Sequence, residues 1–377
     1  MRARKRIARG RAAVLWGLLS VVGIQLGLTA AIELRSPVWR DPEYGHRVQR
    51  LSRQIAANPK KPLVLVLGSS RIGNGFEADR LPPPDAGGDA PIVFNMSQAG
   101  GTSINELLYM RRMLALGIRP RHVVIEVLPA ALRSDIQWCL PGITLEPHRR
   151  CWTDLDVFRR HAPEAAVKHY IEWLGHALAP WHHNRDFLMK RYAPSWLDAS
   201  RLVPFQTAFW RNHISPRGWV RYSYETVTAE MRVAGLKRAK DSYEPVLANL
   251  TVEPKVDRVY RELLDLCRDE KIAVVGLLVM PESSEFRGWC PPDKTAMYQS
   301  YLSSLCAEYG TKLIDATCWI DDDCFADGHH LMRRGASAFT ERFWREVLEP
   351  HLAEKGSARP WPRVADAPSR PVSFEMP

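Results

Sequence analysis

Residues Leu63 to Phe76 read LVLVLGSSRIGNGF, and the first half of this stretch decides the fold. Five apolar residues in a row, Leu63 to Leu67, two of them valines, suit a short strand buried on both faces better than a helix. The run stops at Gly68, and Ser69, Ser70 and Arg71 follow at once. In an open α/β sheet the carboxyl ends of the strands are where ligands bind. A glycine there permits a tight turn, and a hydroxyl placed after it can project above the sheet edge. Ser70 is therefore a candidate nucleophile. The plainer reading is a Gly-Ser turn entering a helix whose free N–H groups are capped locally or hold an anion such as phosphate.

Far downstream, Asp327 to Phe339 reads DGHHLMRRGASAF. A serine hydroxyl is a weak nucleophile until a base takes its proton, and that base needs an orienting carboxylate. Asp327 and His330 are spaced so that both side chains can face one site from a turn entering a helix. His329, beside the candidate base, is a residue of the same type at the wrong spacing. Leu331 begins a helical pattern that continues through Gly335 and Phe339.

Together these blocks resemble the SGNH/GDSL hydrolase superfamily. Gly68-Ser69-Ser70 follows the first strand, Asp327-x-x-His330-Leu331 lies near the C-terminus, and Asn95 to Thr102, NMSQAGGT, is close to the family's second block. The resemblance covers roughly 63–130 and 255–350. It implies a triad of Ser70, His330 and Asp327, with an oxyanion hole from the backbone N–H groups of Ser70 and Gly100. Arg71, Asn74 and Glu282 become candidates for lining the site, although Glu282 and Arg287 read equally as solvated loop charges. Two positions depart from the family pattern. Ser69 stands where an aspartate is usual, and the third strand ends Ile125-Glu126-Val127-Leu128-Pro129 without the family's Gly-x-Asn-Asp. One oxyanion donor is thus unassigned. The GSSR form and the N-terminal segment are most similar to membrane-anchored SGNH-like proteins of envelope polysaccharide acylation, of the alginate O-acetylation and teichoic acid D-alanyl transfer type.

The chain has 377 residues and a formal net charge of +10. Arg2, Arg4, Lys5, Arg6, Arg9 and Arg11 supply six of those charges, so the remainder is only mildly basic and calls for no nucleic-acid partner. Behind them Ala12 to Leu34 is predominantly apolar, with Gln25 as its central polar residue, and is long enough to span a bilayer. The positive-inside rule places residues 1–34 as a cytoplasmic stub and membrane anchor, with the rest outside. A cleavable signal peptide, with small residues at Ala30 and Ala31, is the rival, and both readings export the domain. Seven cysteines fit an oxidising compartment, where Cys318 with Cys324 and Cys139 with Cys151 have spacings that suit disulfide loops or free thiols. No cysteine or histidine cluster has metal spacing, and no metal or cofactor is expected.

In order, residues 35–62 form a juxtamembrane segment with helical stretches. Strands are expected at Leu63–Leu67, Ile92–Asn95, Val123–Leu128, Ile272–Met280 and Lys312–Asp315. Helices are expected at Ser103–Leu116, Val256–Asp269, Met297–Tyr309 and Phe339–Leu352. This alternation predicts a parallel sheet with right-handed crossovers. From about 130 to 250 the rhythm breaks into a mostly helical insertion carrying Trp138, Trp152, Trp173, Trp181, Trp196, Trp210 and Trp219. These tryptophans suit the insertion's own core, sugar stacking or a membrane interface. Residues 356–377, rich in Pro, Ser and Arg, read as a disordered tail. The resemblance adds a three-layer α/β/α, flavodoxin-like domain over 63–355 with strand order 2-1-3-4-5. Its implied function is a tethered serine esterase or O-acyltransferase acting on an acyl ester or an envelope glycan, with a membrane-bound acyltransferase as partner. The alternative is a non-catalytic scaffold or binding module in a polysaccharide modification or export assembly.

Overall fold

A computed structural model of the full chain describes residues 2–34, 37–84, 90–133, 149–182, 185, 189, 193–196, 206–220 and 227–354. Five strands form one all-parallel sheet: β1 (Leu63–Gly68), β2 (Ile92–Ser97), β3 (His122–Glu126), β4 (Ala273–Val279) and β5 (Leu313–Asp315), in the order β2-β1-β3-β4-β5. Leu65 faces Phe94 on one side and Val123 on the other, so β1 is central and buried along its whole length. Its side chains alternate between two cores, as the period of a strand requires. Leu63, Leu65 and Leu67 join Leu107, Leu263 and Leu302, from the helices Ser103–Ala115, Pro254–Asp269 and Pro292–Tyr309. Val64 and Val66 join Ile72, Phe76, Leu331 and Phe339.

Strand order reverses at β1, whose partners β2 and β3 lie on opposite sides. The carboxyl end of β1 is therefore a topological switch point, the usual place for a ligand crevice in an open parallel sheet. Several element ends differ from expectation. The helices begin earlier, at Pro254 and Pro292, because proline is well suited to a first helical turn. The last helix begins at Arg333, relaxes into a π turn at Trp344–Leu348 and ends at Glu354. β4 is one residue shorter at each end than expected.

The polar 35–62 segment contains a helix, Pro42–Ala57, capped by Asp41, and its Tyr44, Val48 and Leu51 enter the main core. Before it, the helix Arg2–Leu34 contains a 24-residue apolar span, Gly10–Glu33, of mean hydropathy 1.8, long and apolar enough to cross a membrane. The described part of the insertion is mainly helical, with helices at Asp154–His161, Ala166–Leu178, Gln206–His213 and Ala229–Ala248. Cys318 and Cys324 are free thiols, contrary to the disulfide option, and Cys151 is free as well. Their acidic loop is held instead by Asp322, which accepts from the Ser284 backbone N–H at 2.7 Å. Cys139, Trp138 and the 356–377 tail lie outside the described residues.

Candidate active site

Gly68 ends β1 because nothing larger fits. A β-carbon there would lie 2.4 Å from Glu126 Oε2 and 2.5 Å from Ile72 Cγ1. The chain then turns into the short helix Ser70–Gly75, capped by Ser69, whose Oγ accepts from the Arg71 N–H at 3.1 Å. Buried Asn95 ties β2 to this helix, donating to the carbonyls of Ile72 and Phe76 at 2.8 and 2.9 Å. A strap from the insertion, residues 214–220, holds it from outside: the Val220 N–H donates to the Gly73 carbonyl and the Trp219 indole N–H to the Asn74 carbonyl. Gly218 makes that crossing at φ +90°, where any β-carbon would collide with the Asn95 carbonyl.

The second block arrives on the turn after β5. Asp327 Oδ1 accepts from the backbone N–H groups of His329 and His330, at 3.3 and 2.9 Å, which shapes the turn. Asp327 Oδ2 lies 2.8 Å from His330 Nδ1, and His330 Nε2 lies 2.8 Å from Ser70 Oγ. With its proton on Nδ1, the imidazole donates to the carboxylate and accepts from the serine hydroxyl. Burial opposes ionisation of Asp327, but the charge and hydrogen bonds of His330, reinforced by His329, outweigh it and hold the carboxyl well below the ordinary range. Ser70 is partly exposed, as a nucleophile must be.

The side chain of His329 takes no part in this chain of hydrogen bonds. It is buried, its ring 4.8 Å from that of Tyr243 and 5.2 Å from that of Phe286. Burial first, and then the neighbouring His330, keep it neutral far below the usual imidazole range. Among the described residues, Asp327, His329 and His330 are the only group whose ligand atoms cluster closely enough for a cation. Both ring nitrogens of His330 are already engaged with Asp327 and Ser70, so a cation there would have to break the relay. The donor set fits proton transfer better than metal binding.

Ser69, Ser70, Arg71, Gly100, Gly101, Thr102, Leu128, Ala130, Ala131 and Tyr243 line a cleft beside the serine. Gly100 thus shares the cleft with Ser70, at φ +66°. Asn74 and Glu282 do not line it. Asn74 is buried and gives its carbonyl to Trp219. Glu282, read as readily as a solvated charge, is buried and pairs with Arg71 at 3.1 Å, so it reaches the cleft only through that arginine. Arg287 sits behind both, donating to the carbonyls of Glu282 and Thr317.

Two contributors escaped the sequence reading. Glu126, at the end of β3, accepts from the Ser69 N–H at 2.6 Å and so supports the turn that carries Ser70. Its signal was a lone carboxylate in the buried run Val123 to Leu128, which has to find a partner. Tyr243 comes from the insertion helix Ala229–Ala248, which lies so close to the second block that a β-carbon on Gly235 would come within 3.0 Å of Asp327 Cβ. Gly235, Ala239 and Tyr243 recur every four residues, a readable helical face. Where the family pattern has an amide after β3, Leu128, Ala130 and Ala131 form an apolar wall.

No protein-family model matches this chain, and no curated protein matches it.

Proposed function

We propose that this protein is a membrane-tethered, extracytoplasmic serine esterase or O-acyltransferase of SGNH/GDSL type, acting on an acyl ester or an envelope glycan. The observation that carries this reading is the continuous Ser70–His330–Asp327 relay, assembled from residues 260 positions apart in the chain. It lies at the switch point of the sheet, where such a reaction is ordinarily housed. The packing of apolar clusters against both faces of the sheet favours the three-layer α/β/α arrangement of that superfamily.

In the reaction, Ser70 Oγ attacks the ester carbonyl as His330 Nε2 takes its proton. Asp327 stabilises the imidazolium and keeps the ring oriented. The negative oxygen of the tetrahedral intermediate is held by the backbone N–H groups of Ser70 and Gly100. The intermediate collapses, His330 returns the proton to the leaving alcohol, and an acyl-Ser70 ester remains. Water or a sugar hydroxyl, deprotonated by His330, then attacks the acyl carbonyl; the bond to Ser70 Oγ breaks, and His330 returns the proton to Oγ to restore the free serine. The second nucleophile alone distinguishes hydrolysis from transfer. Five basic residues ahead of the apolar span, with Arg11 at its start, orient the N-terminus to the cytoplasm, so the cleft faces outside, where a glycan or a membrane-bound acyltransferase partner would meet it.

Labelling of the full-length protein in detergent with a fluorophosphonate probe tests the chemistry. Modification mapped to Ser70 and absent in Ser70→Ala is expected. No labelling, together with no ester cleavage, would leave the scaffold reading. A C-terminal alkaline phosphatase fusion should be active if the domain is exported.

A further inference from the structure

The insertion helix Ala166–Leu178 is amphipathic, but it is mounted the wrong way round for a helix in water. Val167, Ile171 and Leu178, on one face at i, i+4 and i+11, are 71%, 61% and 61% exposed. The opposite, polar face is the one fastened to the protein. His169 is buried, 2.8 Å from Arg150 Nη1, and Glu172 accepts from the same nitrogen at 2.8 Å. A surface helix in aqueous solvent turns its apolar stripe to the core and its charges outward. Here the apolar stripe has no protein partner of its own among the described residues, and it is flanked by Tyr170, Trp173 and Trp152, whose rings are 5.0–6.2 Å apart, the residue types that gather at a bilayer surface.

What covers this face follows from where the helix is attached. The Thr29 hydroxyl donates to the Ala177 carbonyl, and the Trp181 N–H donates to Gln25 Oε1 at 3.2 Å. Gln25 and Thr29 lie inside the apolar span, which ends at Glu33. At 1.5 Å of rise per residue they sit roughly 12 and 6 Å inside its outer end. Any bilayer crossed by Gly10–Glu33 therefore reaches Ala177 and Trp181, at about the depth where interfacial helices lie, 5–10 Å into the boundary of headgroups and acyl chains. We propose that Ala166–Leu178 is a monotopic membrane helix, with Val167, Ile171 and Leu178 embedded in the lipid leaflet beside the anchor. The catalytic domain is then held to the membrane at two places, and its orientation is fixed rather than free to swing. The inference rests on the anchor reading above but not on the chemistry of Ser70.

The test places a fluorescent amino acid at Ile171, at Leu178, at Leu19 within the span, or at Arg334 on the helix after His330, in the full chain. Each variant is reconstituted into phosphatidylcholine–phosphatidylglycerol nanodiscs with plain or brominated acyl chains. Probes at Ile171 and Leu178 should lose most of their emission to the brominated lipid, as the Leu19 probe does, while the Arg334 probe keeps its own. Quenching at Leu19 but not at Ile171 or Leu178 overturns the membrane helix and leaves the anchor intact. No quenching at Leu19 overturns both. Hydrogen-exchange protection of Ala166–Leu178 without quenching means that a protein covers the face, and it overturns the lipid assignment.

Discussion

Arg71 and Arg112 are both buried, and each stands between two carboxylates, yet their surroundings differ in how completely they are closed. Arg112 donates from Nε and Nη2 to Asp154, from Nη1 to Asp41 and from Nη2 to the Arg149 carbonyl, all within 2.5–3.1 Å. The rings of Tyr44 and Tyr109 lie against it. Burial works against the charge on Asp41, but Arg149 and Arg112 outweigh it and bring the carboxyl below its ordinary range. Arg71 uses only Nη2, toward Glu282 and the carbonyls of Met280 and Pro281. Its Nε is 3.9 Å from Glu126, and neither Nε nor Nη1 has a hydrogen-bond partner among the described residues. Around it burial wins: Glu126 and Glu282 are both raised, despite the cation between them. The closed cluster joins the Pro42–Ala57 helix and the insertion to the core. The under-satisfied one lies beside the candidate nucleophile. A buried cation short of partners beside a candidate nucleophile is a candidate functional feature, although the hydroxyls of Tyr44 and Tyr109 beside Arg112 also lack partners among the described residues.

If this contrast is real, substitutions at the two places should move different readouts. The largest effect belongs to the relay. Ser70→Ala or His330→Ala should lower ester turnover by on the order of 10³–10⁶, and the double variant should be hardly worse than either, because triad members act as a unit. The unfolding midpoint of Ser70→Ala should stay close to wild type, since Ser70 is partly exposed and sits outside both charge clusters, whereas His330→Ala leaves Asp327 without its main partner and should lower it. An additive double mutant in steady-state assays would break the relay.

Next in size is Arg112→Met. Removing one partner of a closed buried network strands the others, at a cost of about 3–5 kcal/mol. Asp41, already held ionised, cannot readily escape by taking up a proton. Arg71→Met should cost less, about 1–3 kcal/mol, because Glu126 and Glu282 accept protons more easily. Denaturant unfolding of both variants in detergent measures the difference, and equal losses would erase the contrast.

The parts of the molecule that could be read in the sequence were those where one physical demand leaves one solution. A five-residue apolar run ending in Gly-Ser-Ser had to be a buried strand with a turn at its carboxyl end, and Gly68 is as tightly confined as that reading required. The aspartate three residues before His330 gave the candidate base and its candidate orienting group, which the structure brings within 2.8 Å of each other. What stayed hidden came from long-range packing. Glu282 looked like a loop charge because nothing local says that Arg71 will reach it. Tyr243 and the 214–220 strap belong to the insertion, which lacks the βα rhythm, and the way it folds back on the site is decided by contacts with residues far away in the chain. Cys318 and Cys324 had spacing for a bridge, but spacing says nothing of the bond from Asp322 to Ser284 that holds their loop.

A smaller effect separates the two clusters by pH. Asp41 has a lowered carboxyl, so its contribution is complete above the unfolded value near 4 and is lost as pH falls through the folded one. Glu126 has a raised carboxyl. The fold favours its protonated form, and stability falls as pH rises from about 4.5 through the folded value. Glu126→Gln keeps an oxygen for the Ser69 N–H and removes that fall, so its stability relative to wild type should be higher at pH 7 than at pH 4. Asp41→Asn should show its deficit shrinking below about pH 4 instead. Parallel curves for Glu126→Gln and wild type would mean that Glu126 ionises freely in the folded protein.

The smallest effect is also the one that fixes the register of the site. Ser69 and Ser70 are neighbours of one type, and the structure gives them unlike tasks. Ser69 contributes its backbone N–H to Glu126 and its Oγ to the Arg71 N–H, while Ser70 turns its Oγ to His330. Ser69→Ala leaves the backbone bond in place and removes the cap together with the hydroxyl's own hydrogen bond to Glu126. Such a loss costs about 1 kcal/mol, and glycine at the same position only a few tenths. A thermal melt should therefore show Ser69→Ala slightly below Ser69→Gly and wild type, with the fluorophosphonate reaction at Ser70 within about tenfold of normal, since a factor of ten corresponds to roughly 1.4 kcal/mol. If Ser69→Ala abolished labelling while Ser70→Ala kept it, the nucleophile would be Ser69 and the helix cap Ser70, the reverse of the geometry described. If both variants labelled normally, the reactive serine would lie elsewhere and the Arg71 cluster would be structural, like that of Arg112.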